Sequence, residues 1–156
     1  MRSQKERTPL ASVSMVRTEA DIIERLYHAG VRVPEPHGFM DGVLLMEAIL
    51  DEHGDTARRL VEISFDRDEG RRLCEGLMTE VARMLSVGIV HADLSLFTIL
   101  LGTDGPVIID FPQAVDAARN NNAKNLLLRD VANLTGHLMP GVPADQKRYG
   151  HEMWDL

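Results

Sequence analysis

His91-Ala92-Asp93-Leu94-Ser95-Leu96-Phe97-Thr98-Ile99-Leu100 and, shortly after, Val107-Ile108-Ile109-Asp110-Phe111 frame a β-hairpin. Ile89-Val90 is a short apolar strand that delivers a histidine and then an aspartate into a loop. Ile99–Leu101 and Val107–Ile109 are aliphatic runs joined around Thr103-Asp104-Gly105, a turn sequence. Asp110 stands at the end of the second run. A hairpin folds back on itself, so the carboxylates of Asp93 and Asp110 are expected to face one pocket. Two carboxylates at strand ends suit one base or positioning residue plus one ligand for a hard cation.

Outward from this centre the chain alternates helices with short hairpins. Upstream, Arg67–Ser86 predicts the strongest helix. Asp66 and Glu69 form a capping box, Leu73, Leu77, Val81 and Met84 or Leu85 make an apolar stripe, and Gly88 ends it. Further upstream, Thr18 is expected to cap a helix carrying Ile22, Ile23, Leu26 and Ala29 on one face, with Gly30 as its terminating glycine. Val31–Pro36 holds two prolines and is read as extended. Gly38–Met40 and Val43–Met46 around Asp41-Gly42 predict a first hairpin, and Asp51–Thr56 a loop. Downstream, Leu126–Leu138 predicts another helix, and Tyr149–Leu156 an amphipathic segment. Residues 1–16 are polar and are read as a tail or lobe remnant. Strands paired with near neighbours through short turns indicate an α+β fold with antiparallel pairs.

Composition narrows the function classes. The 156 residues carry a formal net charge of −7, which argues against a phosphate-backbone binder. Cys74 is the single cysteine, so neither an internal disulfide nor a cysteine zinc cluster can form. No apolar run approaches the roughly 20 residues of a membrane span. A cytoplasmic location, with no membrane and no direct nucleic-acid partner, is the resulting expectation.

The two motifs resemble the protein-kinase catalytic loop, H-R-D-L-x-x-x-N, and the metal-binding D-F-G. His91-Ala92-Asp93-Leu94-Ser95 with Ile109-Asp110-Phe111-Pro112-Gln113 is more similar to the RIO family of atypical serine/threonine kinases. That family lacks the arginine after the histidine, has serine where most kinases have lysine, and follows the second aspartate with a Ser- or Pro-Gln pair. The resemblance runs from about Glu19 to Leu138 and takes in Ala29-Gly30-Val31, Val33-Pro34-Glu35-Pro36, Val43–Glu47 and Leu128–Asn133. It implies a kinase-like fold, mainly the helical C-lobe (51–156, expected to be incomplete at its end) with the end of the N-lobe at 17–50. It implies ATP with Mg2+ or Mn2+, and a protein substrate not identified by the sequence. By resemblance, Asp93 is the catalytic aspartate and Asp110 the metal-binding aspartate or phosphoacceptor. Met46 corresponds to the gatekeeper, Glu47 and Ile49 offer backbone groups to adenine, and Glu19 is the helix glutamate that pairs with a phosphate-positioning lysine. Asp130 is expected to hold the catalytic loop by backbone hydrogen bonds.

Two departures stand out. Thr98 occupies the position of the asparagine that ligates a second metal, and its shorter, β-branched side chain is a weaker oxygen donor. No Gly-rich phosphate loop precedes residue 19, and Lys5 is the only lysine upstream of it. These departures keep a non-catalytic interaction module as a rival. A small-molecule kinase of the aminoglycoside-phosphotransferase type is a second rival, because it shares H-x-D-L and an I-D-F segment. His91 reads as structural, Cys74 as a small buried apolar residue, and Arg58-Arg59 and Arg71-Arg72 as solvated faces. Trp154 is read as a packing residue.

Overall fold

A computed structural model describes residues 10–141, 150 and 152–155. Helix α1, Leu10–His28, is followed by strands β1, Pro36–Met40, and β2, Val43–Met46. A 3-10 turn at Leu60–Glu62 leads into α2, Arg67–Ser86. Strands β3, Ile89–Val90, β4, Ile99–Gly102, β5, Gly105–Ile108, and β6, Val115–Asp116, precede α3, Ala123–Leu138. The sheets are three antiparallel pairs, β1 with β2, β4 with β5, and β3 with β6. This is the mixed helix and antiparallel strand architecture expected.

Local chemistry accounts for most element bounds. Asp66 accepts the Glu69 N–H at 2.9 Å, while the Glu69 carboxylate accepts the Asp66 N–H at 3.0 Å. This reciprocal cap starts α2 where the sequence places it. Asp41 and Gly42 both have positive φ, 53° and 77°, as the tight turn between right-twisted strands requires. Gly70 is needed for a different reason. A Cβ there would lie 2.4 Å from the Leu138 carbonyl oxygen, so α2 and the end of α3 approach only over a bare backbone.

Three expectations need correction. The first helix begins at Leu10, so Thr18 lies inside it rather than capping it, and residues 10–16 are helical and continuous with it. The third helix starts at Ala123, because the Asn120–Asn122 turn feeds directly into it; the Ala123 N–H donates to the Asn120 carbonyl at 3.1 Å. Strand β6 was not foreseen. It has two residues, too few to show alternation, and exists because β3 needs a partner. Of the terminal segment, Gly150 and 152–154 are helical; residues 142–149, 151 and 156 lie outside the described residues.

One core joins these pieces. Ile23 and Leu26 of α1, Leu77, Val81 and Met84 of α2, and Leu127, Val131 and Leu134 of α3 pack with Leu94, Ile99, Ile108 and Phe111. Met153 and Trp154 pack against its edge. The hairpin and its flanks therefore hang on a helical body, with α1 tied to Phe111 and Val87 by Glu19 and Arg25. Among the described residues no helix is long and apolar enough to cross a membrane.

Candidate active site

Asp93 and Asp110 are both exposed, at the ends of two backbone segments that meet at His91. His91 is buried. Its Nδ1 accepts the Asp93 N–H at 3.1 Å, which leaves the proton on Nε2, and Nε2–H donates to the Ile109 carbonyl at 2.9 Å. One neutral imidazole thus bridges the residue before Asp110 and the backbone of Asp93. Burial lowers the His91 pKa. The hydrogen bond to Ile109 and the nearby charges of Asp93 and Asp110 oppose that shift without reversing it. Both carboxylates are therefore close to the same ring. The Phe111 ring packs on His91 with centroids 4.9 Å apart.

The loop is pinned from α3 as well. Asp130, 1% exposed, accepts the Ala92 N–H at 2.8 Å and the Leu94 N–H at 3.1 Å, one on each carboxylate oxygen. Arg129 donates to the Ala92 carbonyl, and Asn133 donates to the Leu94 carbonyl at 3.4 Å. Ala92 adopts φ 71°. A left-handed alanine costs about 1–3 kcal/mol and persists only where its surroundings over-determine it, as these bonds do. Burial raises the Asp130 pKa to about 6, against the lowering effect of the two N–H donors and of Arg129. The backbone hydrogen bonds expected of Asp130 from resemblance are thus present in the structure, and Arg129 and Asn133 extend them.

Asp110 is also left-handed, φ 59°. The next N–H, that of Phe111, donates to Glu19 Oε1 at 3.0 Å. Glu19 thus engages the backbone beside Asp110. The resemblance pairs Glu19 with a lysine; the structure shows one of its oxygens on the Phe111 N–H instead. Sequence reasoning missed this contact because it joins residues 92 positions apart in the sequence.

Thr98 is buried. Its Oγ1 accepts the Ser95 N–H at 3.1 Å and lies 3.2 Å and 3.4 Å from the Ser95 and Asp93 carbonyls. The hydroxyl closes the loop on itself and keeps at most one lone pair for another partner. Met46 is 39% exposed at the end of β2. Glu47 and Ile49 line a cavity of about 720 Å³ together with Tyr27, Arg32, Glu35 and Asp104. That cavity includes none of Asp93, Asp110 and Met46. The Glu47 N–H donates to the Glu35 carbonyl at 2.8 Å, and the Ile49 carbonyl accepts the Ala57 N–H at 2.9 Å. Glu80 on α2 went unnoticed in the sequence. It is buried and accepts the Arg32 N–H at 2.9 Å, fixing the α1–β1 connection to the helical body. Cys74 is buried with its thiol pKa pushed up to about 11 by desolvation, which makes it a packing residue and a poor nucleophile.

Comparison with known proteins gives a consistent family. The RIO domain model matches residues 1–144. The chain is 38% identical over 132 residues to the RIO-type serine/threonine-protein kinase Rio1 of Haloferax volcanii, covering 83% of this chain and 44% of that protein. It is 34% identical over 118 residues to Rio2 of Methanocaldococcus jannaschii, covering 74% and 42%. A 3-deoxy-D-manno-octulosonic acid kinase of Vibrio vulnificus is 31% identical over 116 residues, covering 69% and 49%. The chain thus spans less than half the length of each of these relatives. A solved kinase domain superposes with a TM-score of 0.57 at 15% identity, covering 88% of this chain and 50% of the other.

Proposed function

Because the chain belongs to the RIO domain family, we propose that it is an ATP-dependent phosphotransferase acting on a serine or threonine hydroxyl, with Asp93 and Asp110 as its catalytic pair. The observation that carries this reading is the pinned loop. Asp93 projects into solvent from a backbone fixed by His91, Asp130, Arg129 and Asn133, with Asp110 across the same imidazole. Phosphoryl transfer asks little covalent chemistry of a protein and much positioning. The acceptor oxygen attacks the γ-phosphorus, the bond to the bridging oxygen breaks, and ADP leaves with the electron pair. Asp93 orients the hydroxyl and takes its proton. In a two-step variant the Asp110 carboxylate accepts the phosphoryl group first and water then removes it.

The donor set suits Mg2+ or Mn2+. Among the described residues no group of three or more His, Cys, Asp or Glu side chains could hold a metal. Asp110, with the remaining lone pair of Thr98, would hold such a cation through few, hard oxygens, leaving phosphate oxygens and water to complete its shell, as is usual for Mg2+. When bound there, the cation neutralises phosphate charge. For adenine, the Glu47 carbonyl and the Ile49 N–H are the backbone groups not drawn into hydrogen bonds among the described residues, with Met46 before them. A cytoplasmic setting, where ATP is supplied, fits this reading.

Turnover of Mg-ATP tests it. Wild-type protein should release ADP, and Asp93→Ala should lower the rate by about 10²–10⁴-fold. Equal inertness of both would refute activity in this chain. The 31% identity to a sugar-acid kinase supports a second reading, phosphorylation of a small alcohol, which transfer to such an alcohol but not to protein would favour.

A further inference from the structure

Phe97 is 61% exposed and Val61 is 42% exposed. Of the other large exposed apolar side chains, Met40, Val43, Leu45 and Met46 belong to the β1–β2 hairpin, Tyr27 to α1 and Leu50 to the segment after β2, whereas Phe97 and Val61 border the loop that carries Asp93. The Val61 N–H donates to the Leu96 carbonyl at 3.1 Å, and Arg59 bridges to Leu100. Residues 59–61 therefore run alongside 96–100, with Val61 against the residue preceding Phe97.

The Phe97 backbone is held as firmly as that of Asp93. Its N–H donates to Ser95 Oγ at 3.2 Å, and the Thr98 hydroxyl next to it ties back to the Ser95 and Asp93 carbonyls. An aromatic side chain kept in water on a fixed backbone forfeits the free energy it would gain by burial. Nothing in the core requires that position. The ring stands four residues from an exposed aspartate on the same closed loop, at most about 14 Å along the backbone from it.

We propose that Phe97 and Val61 are specificity-determining residues that receive an apolar side chain of a polypeptide substrate, close in sequence to its acceptor serine or threonine. The proposal rests on the phosphotransferase reading and narrows its substrate class. Four loop residues span at most about 14 Å, and an extended peptide advances about 3.3 Å per residue. The apolar side chain therefore falls within about four residues of the acceptor. Exposed Arg58 and Arg59 precede Val61, so an acidic residue beyond the apolar one is matched in charge. A hydroxyl-rich sugar acid gains little from an aromatic and a valine side chain, whereas an apolar side chain gains burial of both partners.

Two serine-containing peptide series decide the matter, one with leucine or phenylalanine and one with glutamine at positions within four residues of the acceptor. Phosphorylation is followed with Mg-ATP, and binding of the same peptides is followed in parallel by fluorescence anisotropy without nucleotide. Wild-type protein should favour the apolar series by about tenfold or more in kcat/KM and in affinity, the scale of one well-filled apolar contact. Phe97→Ala should collapse that preference to near parity through KM, and Phe97→Trp should keep it. Val61→Ser should narrow it. Discrimination in binding that depends on Phe97, with no phosphorylation at all, supports the docking surface and removes the phosphotransferase reading. Phosphorylation of both series alike, with Phe97→Ala behaving as wild type, overturns the proposal and leaves that reading standing. Absence of discrimination in both assays, or transfer to a sugar acid but to no peptide, also overturns it.

Discussion

The loop from Ala92 to Thr98 is held by three side chains of α3 and by His91, whereas the β1–β2 hairpin leans on α1 and leaves Met40, Val43 and Leu45 more than half exposed. On the loop the backbone groups of Ala92 and Leu94 have partners from the distant α3, while those of Asp93, Ser95 and Phe97 are closed by His91, Thr98 and Ser95. On the hairpin the geometry is set by its own turn, Asp41-Gly42, and by ladder bonds. The Asp93 side of this molecule is thus anchored by long-range contacts with the helical body. The side expected to meet adenine is determined locally. The contrast shows how the backbone of Asp93 is held without any contribution from the β1–β2 hairpin.

The largest expected effect breaks the loop. Asp130→Ala would leave the buried N–H groups of Ala92 and Leu94 unpaired and remove the support of a left-handed alanine. A loss on the order of 3–5 kcal/mol should appear in urea denaturation. A result within experimental error of wild type would mean that α3 does not hold the loop.

Acidity probes the same residue. The folded pKa of Asp130 is raised by burial from 3.8 to about 6, so the ionised carboxylate burdens the folded state above about pH 6. As pH falls from 7 to 4 the folded state takes up this proton before the unfolded chain does. Wild type should then gain on Asp130→Ala by about 3 kcal/mol at most. His91, with its lowered pKa, pulls the other way in both proteins and cancels in the comparison. Denaturation midpoints of the pair across that range give the sign.

A smaller effect concerns the link between the two regions. Glu19→Ala frees the Phe111 N–H beside left-handed Asp110, and amide hydrogen exchange at Phe111 should quicken about tenfold, equivalent to about 1.4 kcal/mol of lost local stability. Unchanged exchange would show that α1 does not steady Asp110. The smallest effect belongs to the hairpin. Met40→Lys, at a side chain 67% exposed, should shift stability by no more than about 0.5 kcal/mol, and a larger loss would mean that this face is not open in solution.

Much of this was legible beforehand, for identifiable reasons. The bounds of α2 follow from a reciprocal cap within four residues and an apolar stripe, both local signals. The two hairpins follow from turn residues between aliphatic runs. Asp93, Asp110 and Asp130 stand out in the sequence because motif spacing survives in the chain, and the structure places Asp130 on the backbone of Ala92 and Leu94. Thr18 misled because a cap-like residue inside an amphipathic helix looks the same as one at its start. Strand β6 was too short to carry a pattern. Glu80 and Arg129 looked like ordinary charged residues on helix faces, and only their partners, Arg32 N–H and the Ala92 carbonyl, distinguish them.

By itself the sequence determined the α+β class, the helical spans set by caps and periodicity, and the residue types at the two loop ends. Each depends on chemistry within a few positions along the chain. Tertiary structure alone decided that one imidazole joins Asp93 to the segment before Asp110, that Glu19 reaches Phe111, and that Thr98 turns its hydroxyl into its own loop. It also decided that Phe97 stays in water while Phe111 is buried. These outcomes depend on which backbone groups are left without partners once the core has closed, and that is a property of the packed chain rather than of any window along it.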